Sequence, residues 1–153
     1  MNTIYFVLKF LHVVAASIWI GGLIATSALD MRLARAIDPR ILAVTTRQSG
    51  RVGMMLLLPA AVTTLLAGAG SMAISGIGFA AWIVWGLVAI VLSVALGASV
   101  VRRSVAALIE RLETAPARDA GVASLQRRVA ILNAALVAIL LSAVWAMVFK
   151  PTL

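Results

Sequence analysis

The sequence has no cysteine, one histidine, one tyrosine and only five acidic residues among 153. Without cysteine there are no disulfides, no thiolate metal sites and no cysteine nucleophile. All five carboxylates (Asp30, Asp38, Glu110, Glu113 and Asp119) lie in two polar stretches, so no acid-based proton relay or cation path crosses the apolar segments. No phosphate-cradling loop, metalloprotease motif or nucleophile–base triad is present, and no internal repeat stands out. The chain is 63% hydrophobic with a mean hydropathy of +1.12, which places it in the membrane class.

Four apolar runs follow. The first, Ile4 to Leu29, holds only two ionisable side chains, Lys9 and His12, and is long enough to span a bilayer. Its start, MNTIY, has no basic residue to form the n-region of a cleavable signal, so the run is expected to stay in the protein. Further spans are expected at about 52–74, 79–101 and 129–149, the middle two joined by the tight turn Ser75-Gly-Ile-Gly78. The expected fold is an all-α integral membrane protein, one antiparallel four-helix bundle over 1–153. The polar stretches 30–51 and 102–128 hold 11 of the 13 basic residues, all of them arginines. An excess of that kind marks the cytoplasmic side, which puts both termini and the Ser75–Gly78 turn outside a bacterial-type inner membrane. The basic charge therefore reports topology rather than nucleic-acid binding, and the lipid bilayer is the first partner.

Local signals refine these boundaries. Asp38-Pro39 offers an N-cap and a proline at the first helical position, so a helix starts there and runs into the second span. SVAALIERLE extends the third span as a helix until Thr114-Ala-Pro116 breaks it, and Asp119 caps the run leading into the fourth. Glu110 and Glu113 read as a solvated face beside Arg111. Pro59 is expected to kink the second span. The glycines scattered along the spans let helix backbones approach closely. Eight of the nine aromatic residues fall in the outer half and Trp19 does not, the pattern of an interfacial belt.

Chemistry concentrates on the first span. Lys9, His12, Ala16, Trp19 and Leu23 follow at spacings of 3, 4, 3 and 4 and share one helix face. An imidazole at this depth needs a partner, either a group on a neighbouring helix or a bound ligand. Lys9 can snorkel to the headgroups. Lys9 and Lys150 both lie near the outer face, away from every carboxylate, so lipid phosphate or a ligand's carboxylates would be their counter-ions. One imidazole, two cations and nearby glycines describe a b-type haem or porphyrin site. With a single histidine per chain, the sixth position would fall to methionine, water, nothing or a second protomer. Met1, Met72 and Met147 map to the same half, so His12 with thioethers could alternatively hold copper(I).

The motifs Lys9-x-x-His12, Trp19 and Gly22 resemble the first span of HemJ-type protoporphyrinogen oxidases and CopD-like membrane proteins. PAAVTTLLAG, from Pro59 to Gly68, is similar to the HemJ second span, and Asn133 with Lys150-Pro151 is similar to its last. The resemblance implies a four-span scaffold, haem ligation by His12 with Lys9 beside it, and porphyrinogen oxidation. The third span lacks that group's lysine and Tyr-His pair, Ala134 replaces an acidic residue and Ala28 a basic one. The pattern therefore points to a relative sharing the scaffold rather than a true oxidase. The site expected from all of this comprises His12, Lys9, Lys150, Trp19 and Gly22, with His12 as the metal ligand and haem b ahead of copper. The alternative is a non-catalytic accessory subunit or scaffold that binds a second copy or another membrane protein.

Overall fold

A computed structural model describes residues 3–36, 38–114 and 119–150, and among these every regular element is a helix. Helix α1 spans Thr3–Ala36 and α2 spans Pro39–Val52. A π-helical turn, Gly53–Leu57, joins α2 to α3, Leu58–Ser75. Helix α4, Ala81–Leu96, continues through a second π-helical turn, Gly97–Val101, into α5, Arg102–Thr114. Helix α6 covers Ala120–Phe149.

The expected boundaries are reproduced where the local chemistry is strongest. Helix α3 stops at Ser75 because Gly76 adopts a left-handed conformation with φ of 66°, open to glycine without a Cβ penalty. The Leu42 amide donates to the Asp38 carbonyl at 3.0 Å as α2 begins. Asp119 caps α6 by accepting from the Gly121 amide at 2.9 Å. Helix α5 ends at Thr114, and the expected breaker Pro116 lies outside the described residues, as does Pro151.

Pro59 acts differently from a simple kink. It lies within a helix that runs unbroken from Ile41 to Ser75, so its missing N–H leaves a carbonyl in the preceding π-helical turn without its usual donor. There the Leu58 amide donates to the Gly53 carbonyl, a five-residue step that widens the helix. The second π-helical turn has no proline and begins at Gly97.

Packing is antiparallel. Between α1 and α3, Leu8 lies against Gly70 and His12 against Gly68; Gly22 meets Leu57 of the first π-helical turn, and Ser49 on α2 donates to Asp30 at 2.8 Å. Between α4 and α6, Gly86 meets Met147 and Trp82 lies under Lys150. Helix α1 also packs on α6, closing the bundle. One end therefore carries Thr3, Lys150 and the turn after Ser75, and the other carries the arginine-rich segments.

Two apolar cores follow. Trp19, Leu57, Ala60, Ala61, Ile90 and Leu140 fill the middle of the bundle. Leu42, Ala43, Leu108 and Leu112 fill the arginine end, where α2 and α5 pack together and Leu125 and Val129 join them. Many large apolar side chains face outward, including Leu66 at 66% exposure and Val148 at 69%. Outward apolar faces with small or polar residues inside are what a bilayer demands. The four helices that could cross a membrane run 30 to 35 residues. At 1.5 Å per residue they measure roughly 45–52 Å, against a hydrocarbon core of about 30 Å. The excess is the arginine end, a helical extension built on the spans.

Candidate functional site

His12 is held by α3. Its Nδ1 lies 2.7 Å from the Thr64 carbonyl oxygen. A carbonyl oxygen only accepts, so Nδ1 carries the proton and donates. In a neutral imidazole this leaves the lone pair on Nε2. A backbone-anchored Nδ1–H is the arrangement that fixes the tautomer and orientation of a ligating histidine. The same bond also answers the polar group's need for a partner inside an apolar helix pair.

The neighbourhood explains how the ring fits. Gly68, one turn on from Thr64, leaves room that a Cβ would occupy at 2.8 Å from Nδ1 and 2.9 Å from Cε1. The Thr64 hydroxyl turns away and donates to the Ala60 carbonyl at 2.8 Å. The Ser17 hydroxyl, one turn on from His12 in α1, donates to the Val13 carbonyl at 2.9 Å. Thr64 and Gly68 are the residues that sequence reasoning missed as partners of His12. Their signal is the segment PAAVTTLLAG itself, whose threonine and glycine four residues apart share one helix face.

The other expected site residues divide between two places. Lys9 is exposed one turn from His12, and its Nζ lies 5.8 Å from the centroid of Tyr5. Lys150 ends α6 with a left-handed φ of 44°, and its Nζ lies 5.7 Å from the centroid of Trp82. Both cations thus rest on aromatic faces at the same end of the bundle. Trp19 is buried at 8% exposure in the central core. Gly22 admits the side chain of Leu57, so both residues are engaged in helix packing. His12 and Lys9 come together; Trp19 and Gly22 lie deeper, and Lys150 stands on the α4–α6 side.

The methionines separate as well. Met147 packs on Gly86 between α4 and α6, while Met72 follows Gly68 by four residues on α3. Met1 lies outside the described residues. Among the described residues no cluster of three or more His, Cys, Asp or Glu could hold a metal ion.

At the arginine end Arg47 pairs with Glu113 across α2 and α5, and Arg111 with Asp119 across the α5–α6 connection. Glu113 thus pairs with a neighbouring helix while its side chain stays exposed, in keeping with a solvated face. The Gly121 amide, followed by the Arg111 guanidinium, holds the Asp119 carboxyl below its ordinary range.

No curated protein and no solved structure matches the chain. Residues 6–151 match a family described as predicted integral membrane protein. That match takes in all four long apolar helices, and the chain belongs to this family of integral membrane proteins, DUF2269.

Proposed function

We propose that this membrane protein binds a b-type haem or porphyrin through His12 and serves a redox or porphyrin-handling role. The observation that carries the reading is the bond from His12 Nδ1–H to the Thr64 carbonyl, which leaves Nε2 as the ligating nitrogen. The donor set suits the group. His12 supplies one axial nitrogen and is partly exposed at the α1–α3 seam, and Lys9 one turn away supplies a cation for a propionate. Haem in such a site supplies one-electron chemistry, with a potential set by its axial ligands and burial. The protein's part is to fix the imidazole against α3 and keep water from the seam. Trp19, Gly22 and Lys150 act at longer range, the first two by holding α1 in place. The scaffold reading agrees with the motif likeness to HemJ-type and CopD-like proteins.

The test is an absorption spectrum of the detergent-purified protein, oxidised and dithionite-reduced, after expression with haem supply. A Soret band that disappears in His12→Ala and returns with added imidazole supports ligation. A folded, colourless wild-type protein overturns it. Copper(I) held by His12 and Met72 is the second ligand reading, favoured by Met72 following Gly68 by one turn on the α3 face that packs against His12. It expects copper retained on purification and lost in Met72→Leu. A metal-free, colourless protein that co-purifies with a second copy or another membrane protein would instead support the accessory role. In this reading the arginine end faces the cytoplasm of an inner membrane and both termini face outward.

A further inference from the structure

We infer that one face of α6 at the arginine end is a binding site for an anionic phospholipid. The stripe runs Ala123, Ser124, Arg127, Arg128, Ile131 and Leu132, which together line a shallow groove. Spacings of three and four place Ser124, Arg127, Arg128 and Ile131 on a single helix face. The groove is divided along its length: a hydroxyl and two guanidinium groups at one end, branched apolar side chains at the other. Ile131 is 57% exposed. The division coincides with the boundary at which the arginine end gives way to the apolar part of α6.

Charge points to the occupant. Among the described residues Arg127 and Arg128 form no ion pair. Three of the five acids are engaged elsewhere: Glu113 with Arg47, Asp119 with Arg111, and Asp30 with Ser49. Glu110 lines the adjoining cleft together with Arg111. Two neighbouring arginines suit phosphate oxygens, which accept their forked N–H groups. A free phosphate would use only the polar half of the groove. A phospholipid uses both, with its phosphate on Arg127 and Arg128 and its acyl chain along Ile131 and Leu132. This site lies at the opposite end of the bundle from His12 and does not depend on the haem reading.

The experiment is native mass spectrometry of the full chain released from micelles containing phosphatidylglycerol or phosphatidylcholine. The wild-type protein is expected to retain phosphatidylglycerol preferentially, and Arg127→Gln/Arg128→Gln to lose about 30-fold of that preference, the combined effect of two arginines at an anionic surface. Arg102→Gln/Arg103→Gln removes equal charge outside the groove and is expected to keep it. Ile131→Ser, which leaves the charge untouched, is expected to weaken retention of the long-chain lipid. Equal retention of both lipids by the wild type overturns the site. So does an equal loss in the two arginine variants, which would reveal a general charge effect. Displacement of the lipid by millimolar inorganic phosphate would also overturn it, because the apolar half would then contribute nothing. Circular dichroism establishes that each variant is folded, and the wild-type comparison stands without any variant.

Discussion

Gly68 lies directly against the imidazole of His12, and a methyl group at its Cα would come within 2.8 Å of Nδ1. The ring cannot retreat freely, because the same nitrogen donates to the Thr64 carbonyl one turn away. Gly68→Ala must therefore part α1 from α3 or break that bond. A loss of about 1–3 kcal/mol is expected, the usual cost of overpacking a tight contact. Gly21 has open space where its Cβ would stand, so Gly21→Ala is expected to gain up to about 1 kcal/mol from helix propensity. Unfolding of both variants in detergent, followed by tryptophan fluorescence, separates the two. Equal stability would mean that His12 does not occupy this groove.

Gly86 offers a contrast in what can yield. A Cβ there would meet the terminal methyl of Met147 at 2.6 Å, a closer approach than at Gly68. The methionine side chain is flexible, however, and its end can swing aside. Gly86→Ala is expected to cost less than about 1 kcal/mol, below Gly68→Ala despite the shorter distance. The same unfolding measurement decides, and a reversed order would show that rigidity of the neighbour does not control these contacts.

These contacts also mark how far the sequence can be read. The four spans, the Gly76 stop, the Asp119 cap and the helices beginning at Pro39 and extending beyond Val101 were legible because each rests on local chemistry. His12 stood out because a lone polar ring in an apolar run needs a partner. Which partner was not legible: the Thr64 carbonyl is a backbone atom, and every residue has one. Pro59 announced a disruption, but the π-helical turn that absorbs it lies upstream, and the turn at Gly97 had no proline to signal it. The stripe holding Lys9, His12, Trp19 and Leu23 was real as helical geometry. Its members meet different neighbours: Lys9 rests on Tyr5 of its own helix, while antiparallel packing sets His12 against Gly68 of α3 and Trp19 in the central core.

Trp19 tests the difference between a cofactor residue and a core residue. It is buried among Leu57, Ala60, Ala61, Ile90 and Leu140. Trp19→Ala is expected to destabilise the protein by about 3–5 kcal/mol through the cavity it leaves. Trp19→Phe should recover a large part of that. The loss should be the same in protein prepared with and without haem supply, as thermal unfolding of the two preparations would show. A cost seen only in the haem-supplied preparation would place Trp19 in the binding site instead.

Asp119 links stability to acid. Its carboxyl lies below the ordinary value of 3.8 because the Gly121 amide and then Arg111 favour the charged form. The unfolded chain therefore takes up this proton at a higher pH than the folded one. The stabilisation is present above about pH 4 and is lost as pH falls through the lowered value. Asp119→Asn keeps a capping oxygen but removes the charge. It should be slightly less stable than wild type at neutral pH, and the difference should shrink below about pH 4. Melting temperatures at pH 7 and pH 3 give the comparison, and a gap that widens in acid would contradict this assignment.

The absence of cysteine makes orientation directly measurable. Every cysteine introduced is the only thiol in the chain, so labelling by a membrane-impermeant maleimide reports one position. Ile77 stands exposed in the turn between α3 and α4, and Ala106 is exposed on α5 at the arginine end. Carrying eleven arginines outward against the membrane potential would cost about 2.3 kcal/mol per charge for each 100 mV. Ile77→Cys is therefore expected to label in intact cells, and Ala106→Cys only after permeabilisation. Both positions lie outside the seams that hold the bundle together, so neither change should disturb folding. The opposite pattern would place the arginine end outside and Lys9 near the cytoplasmic face, reversing the side from which a ligand reaches His12.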